Sequence, residues 1–92
     1  MTELDDFRNQ IDELDNMLTL LLEKRFEVVN QVGDYKQKNG IAIFNSNRED
    51  AVIDKVLSRI KDPAKQAYIA NVFREIMDES KEYQNEITGG KQ

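Results

Sequence analysis

Apolar residues recur at Leu4, Phe7, Ile11, Leu14, Leu18, Leu21, Val28, Val32 and Tyr35, in steps of three and four that only a helix places along one side. The seven-residue step from Leu21 to Val28 has Arg25 at its midpoint, the one charged residue in the series. Thr2 is suited to cap the start, with Glu3, Asp5 and Asp6 in the first turn, and Lys36 and Lys38 precede Gly40 at the end. The pattern therefore predicts one helix from Thr2 to Asn39, with no proline to interrupt it. At about 1.5 Å per residue it makes a rod roughly 55 Å long, whereas a compact chain of this length has a radius of gyration near 12 Å by the usual scaling (about 2.2·N^0.38).

After Lys38 the helical period fails. Asn39-Gly40 reads as a turn, and Ile41-Ala42-Ile43-Phe44 as a short, extended, partly buried connection. A second helix begins near Asn45 or Ser46 and carries Val52, Ile53, Val56, Leu57 and Ile60 as a narrow stripe. Asp62-Pro63 ends it and opens a third helix running from Pro63 to about Glu86, with Tyr68, Ile69, Val72, Phe73, Ile76, Met77, Tyr83 and Ile87 facing inward. Residues 86–92, with Gly89-Gly90, read as a frayed tail. The expected class is all-α: three helices, long, short and medium, in a single domain over residues 1–92. Helices two and three are too short to cover the whole seam of the first, and an identical chain is the simplest cover, giving an intertwined antiparallel homodimer. The competing arrangement breaks the first helix at Gly33 and folds it back on itself.

Composition narrows the chemistry. The chain has 92 residues and a net charge of -5, which argues against a nucleic-acid partner or an anionic membrane surface. No apolar run reaches membrane-spanning length, and the acidic amino terminus carries no secretory signal, so a cytoplasmic location is expected. With no cysteine and no histidine, disulfides, thiolate nucleophiles, the commonest general base and the commonest metal ligands are all absent. No metal or cofactor is expected.

Several polar residues stand where an apolar one would fit. Arg25 sits in the seam and needs an anion. Lys36, eleven residues on, returns to within about 20° of the same face at about 16 Å along the axis. Arg8 lies about 25 Å below Arg25 and about 100° around the helix. In an antiparallel pair with its two-fold axis near residue 19 or 20, however, Arg8 of one chain comes level with residue 31 of the other, between Arg25 and Lys36. The plainer reading leaves each as a surface charge, Arg8 pairing with Asp5 or Asp12, Lys36 serving the helix dipole and Arg25 snorkelling past its neighbours. Ser80 and Gln84 continue the inward stripe of the third helix, either as ligand contacts or as the satisfied polar end of a bundle. Ser46-Asn47-Arg48-Glu49 fits a capping box, which gives Glu49 a local role as the alternative to a functional one.

In this order and on these helices, the residues resemble the all-helical class of chorismate mutases, over nearly the whole chain. The elements are Arg8 within Phe7-Arg8-Asn9-Gln10-Ile11-Asp12-Glu13-Leu14-Asp15, Arg25 within Leu22-Glu23-Lys24-Arg25, Lys36 within Val32-Gly33-Asp34-Tyr35-Lys36, then Arg48-Glu49, Ser80 and Gln84. The resemblance implies dimers whose long helices run antiparallel, with two active sites that each borrow an arginine from the partner. It also implies a substrate, chorismate, rearranged within the molecule to prephenate without nucleophile, metal or general base. By the same resemblance, Arg8 and Arg25 bind carboxylates, Lys36 and Gln84 donate to the ether oxygen, Glu49 accepts from the ring hydroxyl, Ser80 meets the ring carboxylate and Arg48 contributes its backbone and its charge. Asn45 stands where many relatives carry an aspartate, which keeps a cap and removes a charge. Two other functions remain open on the same scaffold: a lyase that removes pyruvate from isochorismate, and an inert helical dimer that regulates an enzyme of aromatic amino-acid synthesis.

Overall fold

A computed structural model describes residues 2–88, and every structural statement here concerns those residues. Three α-helices follow in order, α1 (Glu3–Lys38), α2 (Ser46–Arg59) and α3 (Gln66–Ile87), with one 3-10 turn (Pro63–Lys65) ahead of α3 and no strand among the described residues. The principal extents are 55 × 27 × 15 Å and the radius of gyration is 16.5 Å, well above the roughly 12 Å of a compact chain of this length. Among the described residues no helix is long and apolar enough to cross a membrane.

Local chemistry sets the ends of α1. Thr2 Oγ1 accepts from the Asp5 amide at 3.1 Å, and Asp5 Oδ2 accepts from the Thr2 amide at 3.2 Å, a reciprocal capping box. At the other end Gly40 has φ +65°, the left-handed conformation that ends a helix. The Ile41 amide then reaches back to the Lys36 carbonyl at 2.8 Å, and the Gly40 amide to the Gln37 carbonyl at 3.4 Å. This paired closure turns the chain sharply and brings Ile43, which is buried, back against the end of α1. The helix passes through Gly33 unbroken, so the fold-back arrangement does not occur within the chain.

The start of α3 differs from the sequence pattern. Asp62 Oδ1 accepts from the Ala64 amide at 3.0 Å and Pro63 takes the first position, which tightens residues 63–65 into a 3-10 turn and delays the α-helix to Gln66. At the other end α3 continues through Ile87, and Thr88 is buried and donates to the Gln84 carbonyl at 2.8 Å. Glu86 and Ile87 of the expected tail are thus helical, and its residues 89–92 lie outside the described residues.

Within the chain, α3 is the shared wall. It packs on both α1 and α2, whereas the Cα traces of α1 and α2 never come within 8 Å of one another. Gly33 permits the close approach of α1 to α3, since a Cβ there would lie 3.2 Å from Gln84 Cγ and 3.5 Å from Ile87 Cδ1. Phe26 of α1 meets Tyr83 of α3 edge to face, ring centroids 5.3 Å apart. Leu22, Arg25, Phe26, Val29, Gly33 and Lys36 are the residues of α1 withdrawn from solvent. The long seam of Leu4, Phe7, Ile11, Leu14, Leu18 and Leu21 is at least half exposed, as are Val28 and Tyr35. Tyr68 and Val72 also face outward, contrary to the inward face assigned to them, while Ile87 packs on Gly33 as expected and Ala70 is the most buried residue of α3.

Candidate active site

The gap between α1 and α2, floored by α3, forms a cavity of about 300 Å³. Each wall is supplied by a different element. α1 contributes Arg25, Val28, Val29, Val32 and Lys36, the turn and start of α2 contribute Ile43, Asn45, Arg48, Glu49 and Val52, and α3 contributes Met77, Ser80, Lys81 and Gln84. Four cations and one carboxylate therefore line one cleft in a chain whose net charge is -5. That local excess of positive charge suits a small polyanion.

Most of these side chains are held before any ligand arrives. Arg25 Nη1 donates to Ser80 Oγ at 2.6 Å, and Ser80 Oγ donates to the Ile76 carbonyl at 2.7 Å, so the hydroxyl fixes the guanidinium to the floor. Burial, and then the nearby charge of Arg48, push the Arg25 pKa below its ordinary value. Both causes penalise its charged form, and both are relieved by an anion. Lys36 Nζ donates to the Ile43 carbonyl at 2.8 Å, which ties it to the tight turn after α1. Gln84 is buried, and its Nε2 donates to the Val29 carbonyl at 3.2 Å. A carboxamide nitrogen carries two hydrogens, so this anchor leaves a second donor.

At the start of α2, Asn45 is the cap: its Oδ1 accepts from the Arg48 amide at 3.1 Å. The capping box expected of Ser46 and Glu49 is not formed, because the helix begins one residue earlier in its capping pattern than that box requires. Glu49 instead reaches across to α3 and pairs with Lys81 Nζ at 3.1 Å. Lys81 also meets Asp78 Oδ1 at 3.3 Å and lies 4.7 Å from the centre of the Phe44 ring.

Seven of the eight residues singled out from the sequence line this one cavity: Arg25, Lys36, Asn45, Arg48, Glu49, Ser80 and Gln84. Arg8 does not; it is exposed on the uncovered half of α1. Lys81 was missed because it stands among Glu79, Glu82 and other charges that read as a solvated face. Its place one residue after Ser80 and three before Gln84, on the flank of the inward stripe, was the available signal. Among the described residues no group of three or more carboxylates is placed to hold a metal ion.

Residues 7–85 match the family model described as chorismate mutase type II. The chain is 39% identical over 87 residues to the T-protein of Haemophilus influenzae and 34% identical over 90 residues to that of Enterobacter agglomerans, covering 94% of this chain in both cases. It is 28% identical over 81 residues, 84% of this chain, to a bifunctional chorismate mutase/prephenate dehydratase of Aquifex aeolicus. The chain spans only 22%, 23% and 22% of the lengths of these three relatives. With nearly all of its helical core matched, the chain belongs to the chorismate mutase type II family, a family of isomerases.

Proposed function

We propose that this chain is a chorismate mutase, which binds chorismate in the α1–α2–α3 cavity and converts it to prephenate by an intramolecular Claisen rearrangement. The observation that carries the reading is the convergence of Arg25, Lys36 and Arg48 on one cleft around the buried carboxamide of Gln84. The reaction breaks one C–O bond and forms one C–C bond within a single molecule. It asks the protein for geometry and charge, and for no proton shuttle or nucleophile, which matches a chain without histidine or cysteine.

In this reading Arg25, preset by Ser80, takes a substrate carboxylate through charge-assisted hydrogen bonds. Lys36 and the second N–H of Gln84 point donors at the ether oxygen, where negative charge grows as the bond breaks, so their contribution is larger in the transition state than in the ground state. Glu49 accepts from the ring hydroxyl, Ser80 approaches the ring carboxylate, and Arg48 and the Asn45 cap shape the third side. Clamping both carboxylates holds the side chain over the ring in a near-attack arrangement.

The reading also makes the active enzyme an antiparallel homodimer, with Arg8 of the partner subunit closing each site. What supports this is the uncovered seam from Leu4 to Leu21, together with the open side of the cavity. In such a pair Arg8 comes level with residue 31, between Arg25 and Lys36.

The deciding experiment follows chorismate loss and prephenate formation with purified protein, with Arg25→Ala as control. Turnover that the variant lacks supports the reading. Inactivity on chorismate, with isochorismate converted to pyruvate and salicylate instead, replaces it with the lyase.

A further inference from the structure

Lys81 is a cation of the cavity wall that already carries two carboxylate partners. It touches Glu49 Oε2 of α2 at 3.1 Å, Asp78 Oδ1 one turn back on α3 at 3.3 Å, and the Phe44 ring of the connecting segment at 4.7 Å. An ammonium group has three hydrogens, and two carboxylates and an aromatic face occupy its directions. It is therefore poorly placed to take a substrate anion and well placed to hold another group. Both residues line the cavity, and Lys81 meets Glu49 through Oε2.

We propose that Lys81 is a positioning residue for the rearrangement: by gripping Oε2 it fixes the Glu49 carboxylate so that Oε1 accepts a hydrogen bond from the substrate hydroxyl. This rests on the function proposed above. Without that grip, Glu49 in the first turn of α2 would have more rotamers open to it and lose its aim. The mutual hydrogen bond with Glu49 also pushes the Lys81 pKa up, so the ammonium stays charged across the neutral range.

The test is a double-mutant cycle in the full chain with chorismate as the substrate, using Lys81→Met, Glu49→Gln and the double variant, with Lys81→Arg as rescue. Lys81→Met is expected to lower kcat/KM about tenfold, mainly in kcat, and Lys81→Arg to restore it to within about threefold of wild type. If Lys81 works through Glu49, the double variant is no worse than Glu49→Gln alone. Losses that multiply in the double variant, or a Lys81→Met enzyme as active as wild type, overturn the proposal. A lowered urea midpoint for Lys81→Met with losses that multiply marks a merely structural role and overturns it too. Should the methionine variant not fold, Lys81→Gln is read in the same cycle. Wild type is assayed first: if it leaves chorismate unchanged, the proposed function falls and the role of Lys81 falls with it, whereas wild-type turnover with an indifferent Lys81→Met removes the positioning role alone.

Discussion

The two halves of α1 are built from the same kind of sequence and meet different surroundings. From residue 22 onward the helix lies on α3, with Leu22, Phe26, Val29 and Gly33 turned toward it and Arg25 and Lys36 at the edge of the cavity. Before residue 22 no described residue buries it, and Leu14 and Leu21 are 60% and 63% exposed. The two halves also present the seam in different directions. A hydrophobic repeat close to seven residues drifts by about 20° per heptad around a straight helix, so by the end of α1 the seam has swung well away from the side that faces α3. One helix can therefore serve α3 with one face and a second copy of itself with another.

Charging the exposed half gives the largest expected effect. Leu14→Glu with Leu18→Glu places like charges in the seam, where a paired helix would bury them. Sedimentation should then report a monomer, and chorismate turnover should fall by about a thousandfold or more, since each site loses its partner-derived arginine. A variant that stays dimeric, or a monomer that keeps its activity, dissolves the contrast between the halves.

Next in size is the pair Arg25→Ala and Arg8→Ala, one from each half. Each alone should lose about a hundredfold to a thousandfold in kcat/KM, the range for removing a charge-assisted contact to a developing or fixed anion. Mixed in equal amounts and allowed to exchange subunits, the two variants form heterodimers in which one site keeps both arginines. Recovery should approach about a quarter of wild-type activity by simple statistics of pairing. No recovery would mean that each chain builds its site alone.

Legibility from sequence divides along the same line. The helices, the Thr2 cap and the turn at Gly40 follow from short-range chemistry, which a single chain displays in full. Arg25, Ser80 and Gln84 were visible because a polar residue in an apolar stripe breaks a pattern, and Lys36 because its spacing returns it to the face of Arg25. The face of α1 that meets α3 was not. Gly33 carries no side chain to mark it, and Leu22, Phe26 and Val29 run beside a longer, more regular seam that dominates the count. The bond from Glu49 to Lys81 joins residues 32 apart in sequence on two different helices, and a local capping motif offered a nearer explanation for the same glutamate.

A smaller change probes the packed half by itself. Gly33→Ala adds a methyl 3.2 Å from Gln84 Cγ, so the buried carboxamide must shift by a few tenths of an ångström. Alanine also favours the helix by about 1 kcal/mol over glycine, which offsets the crowding. Stability should change by less than about 1 kcal/mol, while kcat falls several-fold, to about a fifth, because the donor of Gln84 is displaced from the ether oxygen. A large loss of stability with kcat unchanged would place Gly33 in packing and remove Gln84 from the chemistry.

The smallest expected effect is an absence of slope. Gln84 has no proton to gain or lose in the working range, and the chain contains no histidine or cysteine. Burial and then Arg48 lower the Arg25 pKa from its ordinary value, and a bound dianion opposes both causes. Lys81 is shifted the other way, above its ordinary value, by its hydrogen bond to Glu49. A cation raised on folding adds stability that is complete below the unfolded lysine value and is lost as pH rises through the folded one, so that window lies on the alkaline side. Between pH 6 and 8 kcat/KM for chorismate should therefore stay flat to within about twofold. Replacing the carboxamide by Gln84→Glu supplies a titrating group in its place: a carboxylate cannot donate to the ether oxygen, so activity should then fall with each step up in pH as the acid form is depleted. A wild-type profile that already falls steeply over this range would show that some other, ionising group supplies the proton at that oxygen.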